Sequence, residues 1–183
     1  MGGAPLCSIA RGRGRNDEAE VIMGNAFFLL VLFGIGLMLI GFIFKEKILW
    51  MFGASTHTFK YANDYLTIYL FGTVFVLIGL GMNSFINSQG FAKIGMMTVL
   101  IGAVLNIILD PVFIFILDMN VKGAALATVL SQFVSALWTL RFLTSDKTIL
   151  KLKKECMHLS PYYVNRFFSF GSAGFMVGFS NSI

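Results

Sequence analysis

Charge is scarce in this sequence. Asp, Glu, Lys and Arg together make up 13% of its 183 residues, too few to clothe the surface of a domain that folds in water. Cysteine is scarcer: Cys7 and Cys156 are the only two, which excludes a disulfide framework, and neither lies in a CxxC pair. The histidines, His57 and His158, are far apart in sequence, so no Cys/His set has the spacing of a zinc site. No GxxxxGK(S/T) loop, no HExxH and no serine, histidine and acid set inside the apolar runs is present, which excludes a nucleotide-driven pump and an intramembrane hydrolase. The net charge is +5, but no basic groove interleaved with aromatics accompanies it, so no nucleic-acid partner is expected. Proline occurs three times, leaving room for long unbroken helices.

What is abundant is oil. Hydrophobic residues make up 57% of the chain, with 20 Phe, 19 Gly and 10 Met, and mean hydropathy is +0.80. Bulky apolar residues mixed with small ones suit lipid-facing helices that approach one another closely. Charge-free or nearly charge-free runs cover 21–44, 65–92, 94–117 and 123–140, each near the ~20 residues that cross a bilayer as a helix; a fifth starts at Phe167. They are continuous rather than alternating, which excludes membrane strands. The expected fold is all-α: a polytopic transmembrane helix bundle. The run from Val21 is longer than a signal-peptide core and has no cleavage site after it, so it belongs to the mature protein.

Four crossings put alternate loops on the same side. Ten basic residues then share one side (Arg11, Arg13 and Arg15; Lys93; and the group from Arg141 to Arg166), against four on the other (Lys45, Lys47, Lys60 and Lys122). The positive-inside rule makes the first side cytoplasmic, placing 1–20 and 141–166 in the cytoplasm of a multi-pass protein of the cell membrane. On the other side, KEKILWMFGASTHTFKYAND predicts a short interfacial helix anchored by Trp50 and Phe52. The segment DKTILKLKKE within 142–166 reads as a basic linker between two bundles. It also suits anionic lipid headgroups. Ser160-Pro161 is a cap and first-turn pair that starts the next helix. Met1 opens onto GGAPLCSIARGRGR as if the chain began at the tail of an earlier segment, and 167–183 stops inside a span.

One run carries an ionisable group. Asp110 is alone between Ile94 and Leu117, and a carboxylate at mid-span costs roughly 2.5–3.5 kcal/mol on insertion scales. Asn106 lies four residues earlier, on the same helix face. Pro111 frees the carbonyl of Ile107, completing an oxygen-rich turn suited to a proton or a small hard cation such as Na+. The competing reading makes Asp110 a cap for a half-helix beginning at Pro111. In the following span, GAALATVLSQFVSALW, the residues Ala124, Thr128, Ser131 and Ser135 form a small, hydroxyl-bearing stripe with Gln132 beside it; Thr128 is expected to aim its hydroxyl at Asp110, although close helix packing alone explains the small residues. Asn83, Asn87 and Gln89 near the end of the second run suit cavity lining or interfacial hydrogen bonding equally.

Four ordered blocks, GGAPLCSIARGRGRNDEAEVIMGNA, FGASTHTFKYANDYLTIYLFGTVF, NSFINSQGFAKIGMMTVLIGAVLNIILDPVFIF and VKGAALATVLSQFVSALW, resemble the third to sixth helices of bacterial multidrug and toxic compound extrusion (MATE) transporters. The resemblance implies a twelve-helix protein of two six-helix lobes that exports organic cations and other drugs in exchange for H+ or Na+. It needs no further cofactor, and its partners are the bilayer, its small-molecule substrates and the remaining helices of the full-length transporter. On this reading 1–141 is part of the first lobe, 142–166 the inter-lobe linker and 167–183 the start of the second lobe. The resemblance places a first-lobe cation site on Asn106, Asp110 and Thr128; Ser131, Gln132, Asn83 and Asn87 stand as further cavity candidates from their positions in the spans alone. The family's first-helix aspartate has no counterpart here, and GSAGF stands where relatives carry a proline near the start of the seventh helix. A lipid-linked oligosaccharide flippase of the same superfamily is the alternative within transport, against which Arg141 and Arg166 stand only at span ends. A structural membrane protein is the alternative outside it.

Overall fold

A computed structural model describes residues 2–180, with side chains through Ser172; part of GSAGF and the last three residues of 167–183 lie outside that description. Six α-helices follow one another: α1 Gly3–Gly12, α2 Asn16–Met51, α3 Phe59–Ser88, α4 Ala92–Pro111, α5 Asn120–Leu143 and α6 Pro161–Ser180. Among the described residues there is no strand. Helices α2 to α5 are each long and apolar enough to cross a membrane. Helix α3 sits between α2 and α5, α4 packs on α5, and α1 lies against α2.

Local chemistry sets the boundaries. Asp17 and Glu18 in the first turn of α2 favour the positive end of its macrodipole. Ser55 and Thr58 exchange side-chain and backbone hydrogen bonds just before α3. At the far end of α3, Gly90 adopts φ +92°, the left-handed conformation that closes a helix, and the Phe91 amide returns to the Ile86 carbonyl at 3.2 Å. The second apolar run therefore ends at Ser88 rather than Ala92. Pro5 lies in the first turn of helix α1, where proline forfeits no helical hydrogen bond.

Two larger departures matter. The predicted interfacial helix does not exist as a separate element, because α2 continues through Lys45–Trp50 to Met51. Nothing between Phe44 and Met51 breaks a helix, and the first stop is Gly53 at φ +87°. At 36 residues and about 1.5 Å per residue, α2 outruns a ~30 Å hydrocarbon core. Trp50 stacks on Phe59 with ring centroids 5.0 Å apart, tying the protruding turn to the start of α3.

The second departure is the linker, which is no free tether. Helix α5 runs to Leu143, and residues 144–160 fold back across the ends of α2, α3 and α5 as a strap. Leu150 and Leu152 are buried in the core with Met82, Ile86 and Leu143. The Gln89 side-chain oxygen accepts from the Thr148 hydroxyl (2.7 Å) and from the amides of Ile149 (3.1 Å) and Leu150 (2.8 Å). Glu20 accepts from the Lys151 amide at 3.0 Å and pairs with Lys153, and that hydrogen-bonded pairing holds the Lys153 ammonium above the usual lysine range. The Ser160 amide donates to Asn25 at 2.7 Å. A side chain at Gly24 would strike the Cys156 backbone. The strap explains why Glu20, Asn25 and Gln89 are buried: a side-chain oxygen of each accepts from strap backbone amides, and the Asn25 and Gln89 nitrogens donate to Val21 and Phe85 one turn back, so their buried polar groups are satisfied.

These contacts also sort the loops. The Arg11 guanidinium donates to the Ser88 carbonyl at 3.3 Å, so the ends carrying Arg11, Gln89 and the strap meet at one end of the bundle. Lys122 pairs with Asp64 at 3.4 Å and Lys45 donates to Thr67 at 3.0 Å at the other.

Candidate functional site

Helices α3, α4 and α5 enclose a cavity of about 200 Å³. One face of α4 supplies Thr98, Gly102 and Asn106, spaced four apart and so stacked along the helix. Helix α5 supplies Thr128, Ser131, Gln132 and Ser135, and α3 supplies Gly79 and Asn83. Close approach is built in: a Cβ on Gly102 would lie 3.5 Å from the Ser135 Cβ, and one on Gly79 would lie 3.9 Å from Ala136. The Ser135 hydroxyl donates across the interface to the Thr98 carbonyl at 3.0 Å, which fixes the register of α4 on α5.

Asn106 joins the three residues singled out from the sequence. Its side-chain amide donates to the Asp110 carboxylate at 3.3 Å and to the Thr128 hydroxyl oxygen at 3.5 Å. Thr128 does not aim its hydroxyl at Asp110, as expected; it donates to the Ala124 carbonyl one turn back at 3.0 Å, because a helical threonine reaches its own i−4 carbonyl most easily. Its lone pairs remain free for Asn106 or a cation. The capping reading of Asp110 does not hold. Helix α4 passes through Asp110 and Pro111 into a π-helical turn, Val112–Ile116, with no side-chain cap. The wider turn takes up the missing proline donor without breaking the span.

Of the further candidates, Asn83, Ser131 and Gln132 line the cavity. Asn83 donates to the Gly95 carbonyl at 3.2 Å, while its buried side-chain oxygen has no partner among the described residues. Asn87 lies elsewhere: it is exposed, with its amide against Gly95. Thr98 was not among the expected residues. Its signal was the four-residue recurrence Thr98, Gly102, Asn106, Asp110 along one helix face. No group of three or more His, Cys, Asp or Glu able to hold a metal exists among the described residues. Asp110 does not itself line the cavity and reaches it through Asn106; a cation held by this group would rest on one carboxylate and neutral oxygens, a donor set for Na+ or H+ rather than for a transition metal.

The profile of the MatE family matches residues 1–112, a stretch that includes Asn106 and Asp110 and stops short of Thr128. Multidrug export protein MepA of Staphylococcus aureus (strain bovine RF122 / ET3-1) is 26% identical over 171 residues, covering 92% of this chain and 38% of MepA. MepA of Staphylococcus saprophyticus is 27% identical with the same coverage. The chain thus spans well under half the length of these relatives. Among solved structures, the inward-facing conformation of a multidrug resistance MATE family transporter superposes with a TM-score of 0.87 at 23% identity, covering 93% of this chain and 39% of that one. An outward-facing conformation gives 0.84 at 23% identity, covering 91% and 37%. The four-span bundle therefore shares the fold of these transporters, and with the family profile covering more than half of the chain, this chain belongs to the MatE family.

Proposed function

We propose that the chain forms part of the first lobe of a cation-coupled exporter. The full-length protein would move organic cations and other drugs out of the cell by alternating access, with H+ or Na+ as the coupling ion. One observation carries the reading: Asn106, a cavity residue, holds Asp110, the only ionisable side chain between Ile94 and Leu117, and the Thr128 hydroxyl in one hydrogen-bonded group. A coupling group must alternate between loaded and empty, so it must be ionisable, and neutral oxygens beside it can stabilise the loaded form. The multidrug export relatives support the same reading. The flippase alternative would want cationic side chains for phosphate, and the cavity lining contains neither Arg nor Lys. The test is dye efflux by the full-length transporter in membrane vesicles with an imposed pH or Na+ gradient. Efflux should follow one of the two gradients, and efflux indifferent to both would sink the proposal.

The orientation belongs to the same proposal: the end bearing the strap faces the cytoplasm. Cys156 is the reporter, since Cys7 is buried. Burial pushes the Cys156 thiol up, so labelling is slow and is read against a permeabilised sample. A membrane-impermeant maleimide should label Cys156 only after permeabilisation, and labelling of intact cells would reverse the orientation.

A further inference from the structure

A second cavity, about 240 Å³, opens where α5 leaves its span, lined by Trp138, Arg141, Phe142, Ser145 and Lys147. We propose that it is a headgroup site for an anionic phospholipid. Two cations converge on it from rigid elements. Arg141 belongs to the last turn of α5, and Lys147 immediately precedes the three strap residues clamped by Gln89. Neither side chain has an ion-pair or hydrogen-bond partner among the described residues, whereas Lys151, Lys153 and Arg11 at the same end are engaged. Asp146, the nearest acid in sequence, is paired with Lys151 and does not line the cavity.

The helix end itself would repel an anion, because its last carbonyls point that way. Here those oxygens are occupied: the Leu140 carbonyl accepts from the Thr144 amide and hydroxyl, and the Phe142 carbonyl from the Ser145 amide and hydroxyl. Phe142 is fixed edge-on to Phe91, centroids 5.3 Å apart, giving the cavity a firm floor. Along α5 from Arg141 back into the span, Trp138, Leu137 and Val134 are exposed, an apolar track for acyl chains beneath the headgroup. Trp and Arg together at the depth where a span ends are placed for the headgroup layer. A zwitterionic headgroup would bring its own ammonium against two cations; a singly anionic one brings only phosphate charge.

The experiment places the protein in phosphatidylcholine nanodiscs and titrates in fluorescent phosphatidylglycerol, with fluorescent phosphatidylcholine and inorganic phosphate as the other arms. Phosphatidylglycerol should be preferred over phosphatidylcholine, and inorganic phosphate should not displace it. The double variant Arg141→Gln, Lys147→Gln should lose about tenfold or more of that preference. The control Arg13→Gln, Lys154→Gln removes the same charge from the same end and should keep it. Equal loss in both pairs would reduce the effect to bulk surface charge and overturn the site, as would displacement by phosphate. Lys147→Arg, which keeps the charge on the strap, guards against misfolding of the double variant: it should bind like the parent, and a full loss there would also overturn the proposal.

Discussion

Replacing Asp110 with asparagine is expected to bring gradient-driven efflux by the full-length transporter down to background while leaving membrane insertion unchanged. The substitution keeps the size of the side chain and an oxygen able to accept from Asn106, whose amide lies 3.3 Å from the carboxylate. It removes the one thing asparagine cannot do, which is to take up a proton or neutralise a cation. Insertion should if anything become easier, because a neutral amide costs less in a span than a carboxylate. Loss of packing would be an unwelcome explanation for lost transport. The geometry argues against it, because the contacts that fix α4 on α5 lie at Ser135 with Thr98 and at Gly102, two or more turns from Asp110. Thr128→Val sharpens the test: it deletes the oxygen that accepts from Asn106 but leaves the ionisable group, so coupling should weaken rather than vanish. Parental efflux by Asp110→Asn, at equal amounts of inserted protein, would remove the carboxylate from the mechanism.

How much of this could be read in the sequence depended on distance along the chain. Asn106, Asp110 and Pro111 are neighbours on one helix, and helical spacing alone put the amide and carboxylate on one face. Thr128 lies one short loop away, so bringing it to the Asn106 and Asp110 face needed only that consecutive spans pack together, although its partner there is Asn106 rather than Asp110. The direction of its hydroxyl was missed because an i−4 carbonyl always competes with a tertiary partner. The strap was harder. Gln89 meets its partners about sixty positions later and Glu20 meets Lys153 from the far side of four spans. Polar residues at the ends of apolar runs look alike whether they face water or each other. Lysines interleaved with Ile149, Leu150 and Leu152 read as a linker for the same reason: the pattern shows which residues want burial, but not that a buried groove waits for them.

Gln89→Leu should release the middle of the strap. The side chain is fully committed: its amide nitrogen donates to the Phe85 carbonyl one turn back at 3.2 Å, which turns its oxygen outward to the three donors of the strap. Leucine has similar bulk and no acceptor. The Thr148 hydroxyl keeps a second partner in the Leu150 carbonyl at 3.0 Å, whereas the amides of Ile149 and Leu150 have none. Leaving a buried donor unpaired costs about 1–3 kcal/mol; the Leu150 amide is buried and the Ile149 amide part-buried, so the loss is roughly 2–6 kcal/mol at most, reduced where water reaches Ile149. Hydrogen exchange at the Ile149 and Leu150 amides should accelerate by roughly 30-fold or more, the factor corresponding to about 2 kcal/mol. The outer anchors remain, since Glu20 still holds Lys151 and Lys153 and Asn25 still holds the Ser160 amide. Exchange within α2 and α3 should therefore stay slow, and Cys156, tucked against Gly24 beyond the Lys153 anchor, should label only modestly faster. Adding Glu20→Ala removes the next anchor, both the acceptor for the Lys151 amide and the partner of Lys153, and should speed Cys156 labelling further. Unchanged exchange at both amides in Gln89→Leu would mean that burial of Leu150 and Leu152, and not the glutamine, holds the strap in place.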